Sequence, residues 1–185
     1  MIFQKILCFI SSVILVLLFS ADSFACLSIT DDLNSPNPVI NANFSLQPDV
    51  SPFTDCWSGI MRIRTDRSSW RLVATRTGPS PSGSVTGNPA DNVTASDLTL
   101  AVTLQSFGMA APNGAILVSP FSSQTDLSSI QSGTFIISGV QRSGNSCSST
   151  NTNYYKVTKR LCLFRDFIFN TGIYNGQVIY ILTSP

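Results

Sequence analysis

The chain has 185 residues, with 11 basic and 10 acidic side chains and a formal net charge of +1. This near-neutral balance argues against binding to nucleic acid, which needs a basic footprint against the phosphate backbone. The sequence contains no His and no Glu, which excludes an ordinary Ser–His or Cys–His catalytic unit and a His metal site.

Residues 1–25 have the pattern of an export signal. Lys5 supplies a positive start, 6–19 is an almost unbroken apolar run, and Ser23-Phe24-Ala25 is a small-x-small cleavage site before Cys26. The run is shorter than the roughly 20 residues that span a bilayer, which favours a signal peptide over an anchor. A lipoprotein remains an alternative, since Cys26 would be the first mature residue, although Ser23 stands where a lipobox has an aliphatic residue.

Residues 26–185 are expected to form one domain, which is the usual prior for this length. The domain carries four cysteines, Cys26, Cys56, Cys147 and Cys162, because Cys8 leaves with the signal. An even count in an exported chain predicts two disulfides. Of the three connectivities we favour Cys26–Cys56 and Cys147–Cys162, since each pair brackets a polar, loop-rich segment. A metal site is disfavoured because no two cysteines form a C-x-x-C pair.

The first half of the domain reads as short strands. Strands are predicted at 26–29 and 39–46, and the second ends at Pro48. Residues 56–76 are predicted to form a hairpin with a turn at 66–69. In that register Thr65 faces Trp70 and Arg64 faces Arg71. The hairpin sorts apolar from charged side chains, with Met61, Ile63, Trp70, Leu72 and Ala74 on the core side and Arg62, Arg64 and Arg71 on the other.

The second half continues the pattern. The Ser-, Gly- and Pro-rich run 78–92 is predicted to be an exposed loop, and 97–106 alternates as a half-buried strand. Shorter strands are expected at 115–118 and 134–138, separated by a polar loop at 121–132 with at most a helical turn. A second polar loop at 141–153 precedes a long strand region at 154–169, bent near Arg165-Asp166.

The last stretch, 171–185, predicts a tight turn at Gly172 and Asn175-Gly176, followed by a strand at 178–182 that is apolar on both faces. Such a strand needs neighbours on both sides, so we expect it to close the fold. The strand count and the absence of a helical period predict an all-β, Ig-like antiparallel β-sandwich of about seven to nine strands.

Two stretches carry a resemblance to known families. Residues 63–74 read as a strand, a short turn and a Trp-x-Leu motif, and 172–183 as a Gly-x-Tyr turn with a final strand. Together they resemble exported bacterial Ig-like modules, namely WxL-type surface domains and the spore-coat-U or pilin-like secreted domains. The resemblance implies a sandwich without an enzymatic site that sits on the cell envelope or builds surface fibres and coats.

The arginine run Arg62, Arg64, Arg67 and Arg71, continued by Arg76, is the best ligand-binding candidate. Guanidinium groups suit the carboxylates and sulfates of an anionic polysaccharide, and a solvated outer face is the plainer alternative. Oxygen ligands at 31–34 could hold calcium, but an ordinary polar loop is favoured. Trp57 and Trp70 could form a sugar platform, but core packing is favoured.

The sequence therefore predicts a secreted, periplasmic or cell-surface structural module without catalytic activity, metal or cofactor. We expect it to associate with other envelope proteins or with itself, through sheet edges or an outer face. The alternative, from a different class, is an adhesin-like module that binds anionic glycans through the arginines.

Overall fold

The computed structural model describes residues 26–31, 37–48, 54–108, 114–164 and 169–185. Within these ranges the chain forms ten strands and three short 3-10 turns. The strands are β1 (Leu27–Asp31), β2 (Val39–Leu46), β3 (Thr54–Thr65), β4 (Trp70–Thr86), β5 (Leu98–Phe107), β6 (Ala115–Leu117), β7 (Thr125–Asp126), β8 (Thr134–Gly139), β9 (Tyr154–Phe164) and β10 (Thr171–Thr183). The 3-10 turns are Pro89–Asp91, Ala95–Asp97 and Leu127–Ser129.

The strands form two antiparallel sheets that pack face to face. Sheet A has the order β1-β3-β9-β5-β7, and sheet B has the order β2-β10-β4-β8-β6. The predicted all-β sandwich is confirmed, with one strand more than the upper estimate because β7 is only two residues long. In the described part of the chain, no helix has the length and apolarity needed to cross a membrane. The predicted signal at 1–25 lies outside the described residues.

The core lies between the sheets and is built by alternate side chains of each strand. Two of its largest members are Trp70 of sheet B and Tyr155 of sheet A, whose rings lie 5.0 Å apart. The Trp70 Nε1 and the Tyr155 hydroxyl both donate to the carbonyl of Gln141, each at 2.9 Å. Gly139 makes room for the indole, because a Cβ there would lie 1.9 Å from Trp70 Cε2.

The predicted hairpin at 56–76 is wrong, although the core side of its pattern is right. Its five core residues, Met61, Ile63, Trp70, Leu72 and Ala74, are all buried. However, β3 pairs with β1 and β9, whereas β4 pairs with β10 and β8. Residues 66–69 therefore carry the chain from one sheet to the other. Period-two alternation is the same for strands paired in one sheet and for strands facing each other across a core, so the pattern could not separate the two.

The predicted loop at 78–92 is a strand for more than half its length. β4 extends to Thr86 because β10 pairs with it along that stretch, as far as the pair Thr86 and Thr171. The pairing of β4 with β8 ends at Ala74. Among the described residues, β4 beyond Ala74 pairs with β10 alone and is therefore an edge strand, where proline is tolerated.

The final strand is confirmed as the one that lies between neighbours. β10 pairs with β2 on one side and β4 on the other. The predicted turn is wrong, because the strand already begins at Thr171. Gly172, with φ 145°, and the Asn175-Gly176 pair lie instead at irregularities in the β10–β4 register. Glycine in a strand often marks such a bulge.

Both predicted disulfide pairings are wrong, while the prediction of two disulfides is confirmed. Cys26 bonds to Cys147 and Cys56 bonds to Cys162. Cys56 and Cys162 face each other on β3 and β9, a neighbourhood that no local spacing reveals. The bridges join positions 121 and 106 residues apart, and a loop near 100 residues corresponds to about 4.7 kcal/mol of chain entropy in the usual model. Two such bridges fit an oxidising environment.

Strands β1, β2, β5, β6, β8 and β9 and the polar loop at 141–153 agree with the sequence prediction. The predicted loop at 121–132 agrees only in part, because it contains the short strand β7 in addition to one 3-10 turn. The predicted bend near Arg165-Asp166 lies outside the described residues.

Candidate functional surfaces

The arginine run does not form one surface. Arg62 and Arg64 lie on β3 of sheet A, Arg71 lies on β4 of sheet B, and Arg67 lies in the crossing between them. Arg64 and Arg71 are therefore not cross-strand neighbours, and the predicted shared arginine face is wrong. Arg67 is exposed and pairs with Asp66 at 3.7 Å. Ligand binding by any of the four stays a prediction.

Arg64 is a structural residue rather than a free cation. It is only 3% exposed. Its Nε donates to the Asn151 carbonyl at 2.9 Å, its Nη2 to the Ser149 carbonyl at 3.1 Å, and its Nη1 to Thr30 Oγ1 at 2.8 Å. Burial, followed by the neighbouring charge of Arg62, lowers the pKa of Arg64. The guanidinium fork fixes the loop at 141–153 against β3, and the Cys26–Cys147 bridge ties the same loop to the start of β1.

The outer face of sheet A still carries a group of cations, which we call the cationic face: Arg62, Lys156 and Arg160. Arg62 lies opposite Lys156 in the β3–β9 register, and Arg160 follows on the same side of β9. Between and beside them lie hydroxyl and amide side chains, namely Ser58, Thr103, Gln105 and Thr158. In the sequence, the alternation of Tyr154, Lys156, Thr158 and Arg160 indicates that Lys156 and Arg160 share one face of β9. Their link to Arg62 depends on a pairing between segments far apart in the chain.

The outer face of sheet B is different, because a row of apolar side chains crosses it. Ile181 of β10 pairs with Val39 of β2 and with Val73 of β4, and Val73 pairs with Phe135 of β8. Ile181 is 36% exposed and Phe135 is 47% exposed. Ile116 of β6, next along the sheet, is also strongly exposed. We call the four residues on β2, β10, β4 and β8 the apolar row: Val39, Ile181, Val73 and Phe135.

The other end of the same face holds a pocket of about 740 Å³. It is lined by residues of β2, β4 and β10 together with one from β3: Asn43, Phe44, Ser45, Trp57, Thr77, Gly78, Ser80, Asn175, Gly176 and Gln177. None of these residues is ionisable. The pocket lies where the β10–β4 register shifts between Asn175 and Gln177, and the sequence pattern gives no sign of it.

The two tryptophans have different roles. Trp70 is fully buried, so its predicted core position is confirmed. Trp57 is half-buried, packs against the core and also lines the pocket, so the core interpretation holds only in part for it.

The calcium candidate at 31–34 lies mostly outside the described residues, since Asp31 ends β1 and 32–34 are not described. Within the described ranges, no three acidic, His or Cys side chains are grouped for a metal ion.

Lys159 is an unexpected charge inside the sandwich. It points inward from β9 and is 3% exposed, in space left by Gly59, where a Cβ would lie 3.0 Å from the Lys159 Cε. Its Nζ lies 4.5 Å from the centre of the Tyr180 ring and 5.3 Å from that of Trp57. Burial lowers the pKa of Lys159 to about 8, against a smaller raising effect of Asp31. The two rings favour the charged form, so they offset part of the cost of burial.

Comparison with family models, curated proteins and solved structures finds no match for this chain.

The structural role of Arg64 predicts a contrast with Arg71. Arg64→Ser removes three hydrogen bonds from a charged donor, two of which satisfy loop carbonyls, and should lower the free energy of unfolding by about 3 kcal/mol. Arg71→Ser, at an exposed position, should change it by less than about 0.5 kcal/mol. Chemical denaturation measures both, and amide exchange at 149–151 should accelerate in the first variant alone. Equal effects of the two substitutions would contradict this assignment.

Lys159 predicts a pH-dependent cost. Between its folded pKa of about 8 and its unfolded value of 10.5, the unfolded state binds the proton that the folded state has lost. Stability of the native chain should therefore rise with pH in this window. Lys159→Met should raise the free energy of unfolding at pH 7 by about 1–3 kcal/mol, and its advantage should shrink by pH 9.5.

The matched control is Lys156→Met, on the same strand but on the outer face, which should show neither effect. Denaturation curves at the two pH values decide the question. A Lys159→Met protein that is less stable than the native chain at pH 7 would show that the cation is stabilising where it lies.

Proposed function

We propose that this chain is an exported, non-catalytic structural module that assembles with a second copy of itself through the outer face of sheet B. The observation that carries the proposal is the apolar row, which crosses four of the five strands at one level. Exposed apolar residues are normal when scattered singly, but a contiguous group marks an interaction surface.

Charge argues for a second copy rather than an unrelated charged partner. Of the outward-facing side chains on β2, β10 and β4, only Arg71 carries a charge, and its guanidinium lies 5.0 Å from the centre of the Phe135 ring. The apolar row therefore has few charged groups that could pair with an acidic or basic surface of another protein. A copy of the chain presents the same apolar row, and a two-fold axis would bring the two rows together as an isologous interface.

The dimensions of the face predict a weak dimer. Four strands at about 4.8 Å spacing, with eight residues at about 3.4 Å rise, give a projected area of roughly 500 Å². Stable interfaces bury about 800 Å² on each partner, and smaller ones belong to weak or transient complexes. We therefore expect a dissociation constant of about 1–100 μM. The dimer would then be populated where the local concentration of the protein on a surface is high.

Export is supported by two independent features. Residues 1–25 have the pattern of a signal peptide, and the two disulfides fit an oxidising compartment. The resemblance of 63–74 and 172–183 to envelope modules agrees with a structural role at the cell surface. Other envelope proteins with an exposed apolar sheet face are partners of the same chemistry.

A second candidate function is binding of an anionic polysaccharide on the cationic face. The observation that favours it is the register, which brings Arg62 and Lys156 side by side on the outer face of sheet A. Arg160 extends the group along β9. The hydroxyl of Thr158 lies between Lys156 and Arg160, and that of Ser58 lies opposite Arg160, where both suit sugar oxygens. This surface replaces the arginine face that the sequence suggested, retaining Arg62 and losing Arg64 and Arg71.

Self-association through the apolar row should be abolished by charge at its centre. Ile181→Lys and Phe135→Lys place like charges in the interface and should weaken dimerisation at least about tenfold. Sedimentation velocity over a concentration series measures this. The control is Ile173→Lys, which changes an equally exposed isoleucine of the same strand outside the row. Native protein that stays monomeric up to about 1 mM, or an equal effect of Ile173→Lys, would refute the assignment.

Anion binding should depend on Lys156 and Arg160 and on salt. Lys156→Ser/Arg160→Ser should lose most of its affinity for heparin or alginate fragments, and native binding should fall steeply between low and high ionic strength. Arg67→Ser/Arg71→Ser, which removes two exposed arginines that lie outside the cationic face, is the control of matched charge. Binding that the control weakens as much as Lys156→Ser/Arg160→Ser would indicate attraction by net charge alone.

A further inference from the structure

We propose that the pocket between β2, β10 and β4 is a binding site for an uncharged saccharide. This site is separate from the cationic face and from the apolar row, and the proposal does not depend on either. It rests on the chemistry of the lining, on the way the backbone opens the pocket, and on the position of Trp57.

The lining combines hydrogen-bonding groups of both kinds with no charge. Three amides, Asn43, Asn175 and Gln177, each offer a donor and an acceptor, and Ser45, Thr77 and Ser80 add hydroxyls. The Gln177 Nε2 already donates to Asn43 Oδ1 at 2.8 Å, which orients both amides. A sugar ring presents hydroxyls that both donate and accept, so this lining matches it. A phosphate, sulfate or carboxylate would find no cation in the lining.

One aromatic side chain completes the recognition chemistry. Trp57 lines the pocket together with the amides, and the apolar C–H face of a sugar packs against such a ring. Phe44 is also in the lining but is 4% exposed and belongs to the core. Trp57 also packs against the core, where the Lys159 ammonium lies 5.3 Å from its ring centre and Gly59 leaves room for the ring. A rigid indole with a polar rim is suited to binding, since little side-chain freedom is lost when a ligand arrives.

The backbone opens the pocket at two glycines. Gly78 has φ +81°, and a Cβ there would lie 2.7 Å from the Asn175 carbonyl oxygen. A Cβ at Gly176 would lie 2.2 Å from the Phe44 ring. Both glycines lie at the shift of register that separates β10 from regular pairing with β4. Bulges of this kind occur next to binding sites, where they redirect side chains.

The volume fits a small ligand. Pockets that hold small molecules usually measure about 300–1,000 Å³, and about 740 Å³ is enough for one or two sugar units. With no charged contact and one side open to solvent, we expect modest affinity, with a dissociation constant of about 0.1–5 mM for short oligosaccharides.

The test uses the full exported chain and a panel of neutral oligosaccharides, namely chitotetraose, cellotetraose and maltotetraose. The chain has two tryptophans, and since Trp70 is fully buried, a change in tryptophan fluorescence on titration reports on Trp57. We expect at least one of the three to change the fluorescence with saturation. Asn43→Ala should weaken that binding at least about fivefold, because it removes a lining amide and the partner of Gln177.

The matched control is Asn41→Ala, which removes the same amide from the same face of β2, outside the lining. It should bind as the native chain does. Ile181→Lys, which disrupts the proposed dimer, should also bind normally, so failure of the dimer and failure of the pocket are distinguishable. Absence of any response up to about 20 mM of each sugar would overturn the proposal. So would equal weakening by Asn41→Ala, or displacement of the sugars by an amide-rich peptide that binds more tightly.

Discussion

Backbone pairing of β10 on both sides is the constraint on which the rest of sheet B depends. Residues 171–183 are the last strand of the chain, yet they lie between β2, near the start of the domain, and β4. Among the residues that the structure describes, β10 is the sheet B partner of β2 and the one partner of the second half of β4. Contacts between segments this far apart in sequence cost loop entropy before they contribute. The two long-range disulfides reduce that cost by restricting the unfolded chain.

The same strand explains why the proposed surfaces lie where they do. Ile181 stands at the centre of the apolar row, and Asn175, Gly176 and Gln177 form the wall of the pocket. Sheet A has the opposite character, since its outer face carries Arg62, Lys156 and Arg160. The sandwich therefore presents a charged face to water and a nearly uncharged one on the opposite side.

Side-chain alternation predicted most of what is local in this fold. It located β2, β5 and the buried end of β10, and it identified Trp70 and its neighbours as core. It could not choose partners, because a strand's inward period is the same whether its sequence neighbour lies beside it or across the core. This one ambiguity produced the false hairpin and the false pairing of Arg64 with Arg71. The wrong disulfides have a different cause, because local spacing favours them, whereas Cys56 and Cys162 meet through the long-range pairing of β3 with β9.

Sequence composition led to the wrong prediction of a loop at 78–86 and gave no sign that Lys159 is buried. The two failures have related reasons. The segment 78–86 has few apolar residues, so its strand is held by hydrogen bonds to β10 rather than by buried side chains, and propensity cannot register that support. Lys159 is an exception to the alternation, because its charged side chain points into the core. It occupies space that the missing side chain of Gly59 leaves free, close to the rings of Trp57 and Tyr180. The pocket arises from the same kind of exception, since glycines and bulges carry no period. Features that depend on a missing side chain are those that pattern analysis is least able to find.

The apolar row and the pocket share one face, so their use must be geometrically compatible. Ile181 and Gln177 are four residues apart on β10, which corresponds to about 14 Å along the strand. In a face-to-face pair, a two-fold axis running along the apolar row reverses the strand direction of the second copy. The two pockets then lie at opposite ends of the pair, beyond the overlap of the rows, and both stay open to solvent. An axis parallel to the strands would instead stack the pockets against each other and close them. Saccharide binding that is unaffected by dimerisation therefore selects the first arrangement, and competition between the two selects the second.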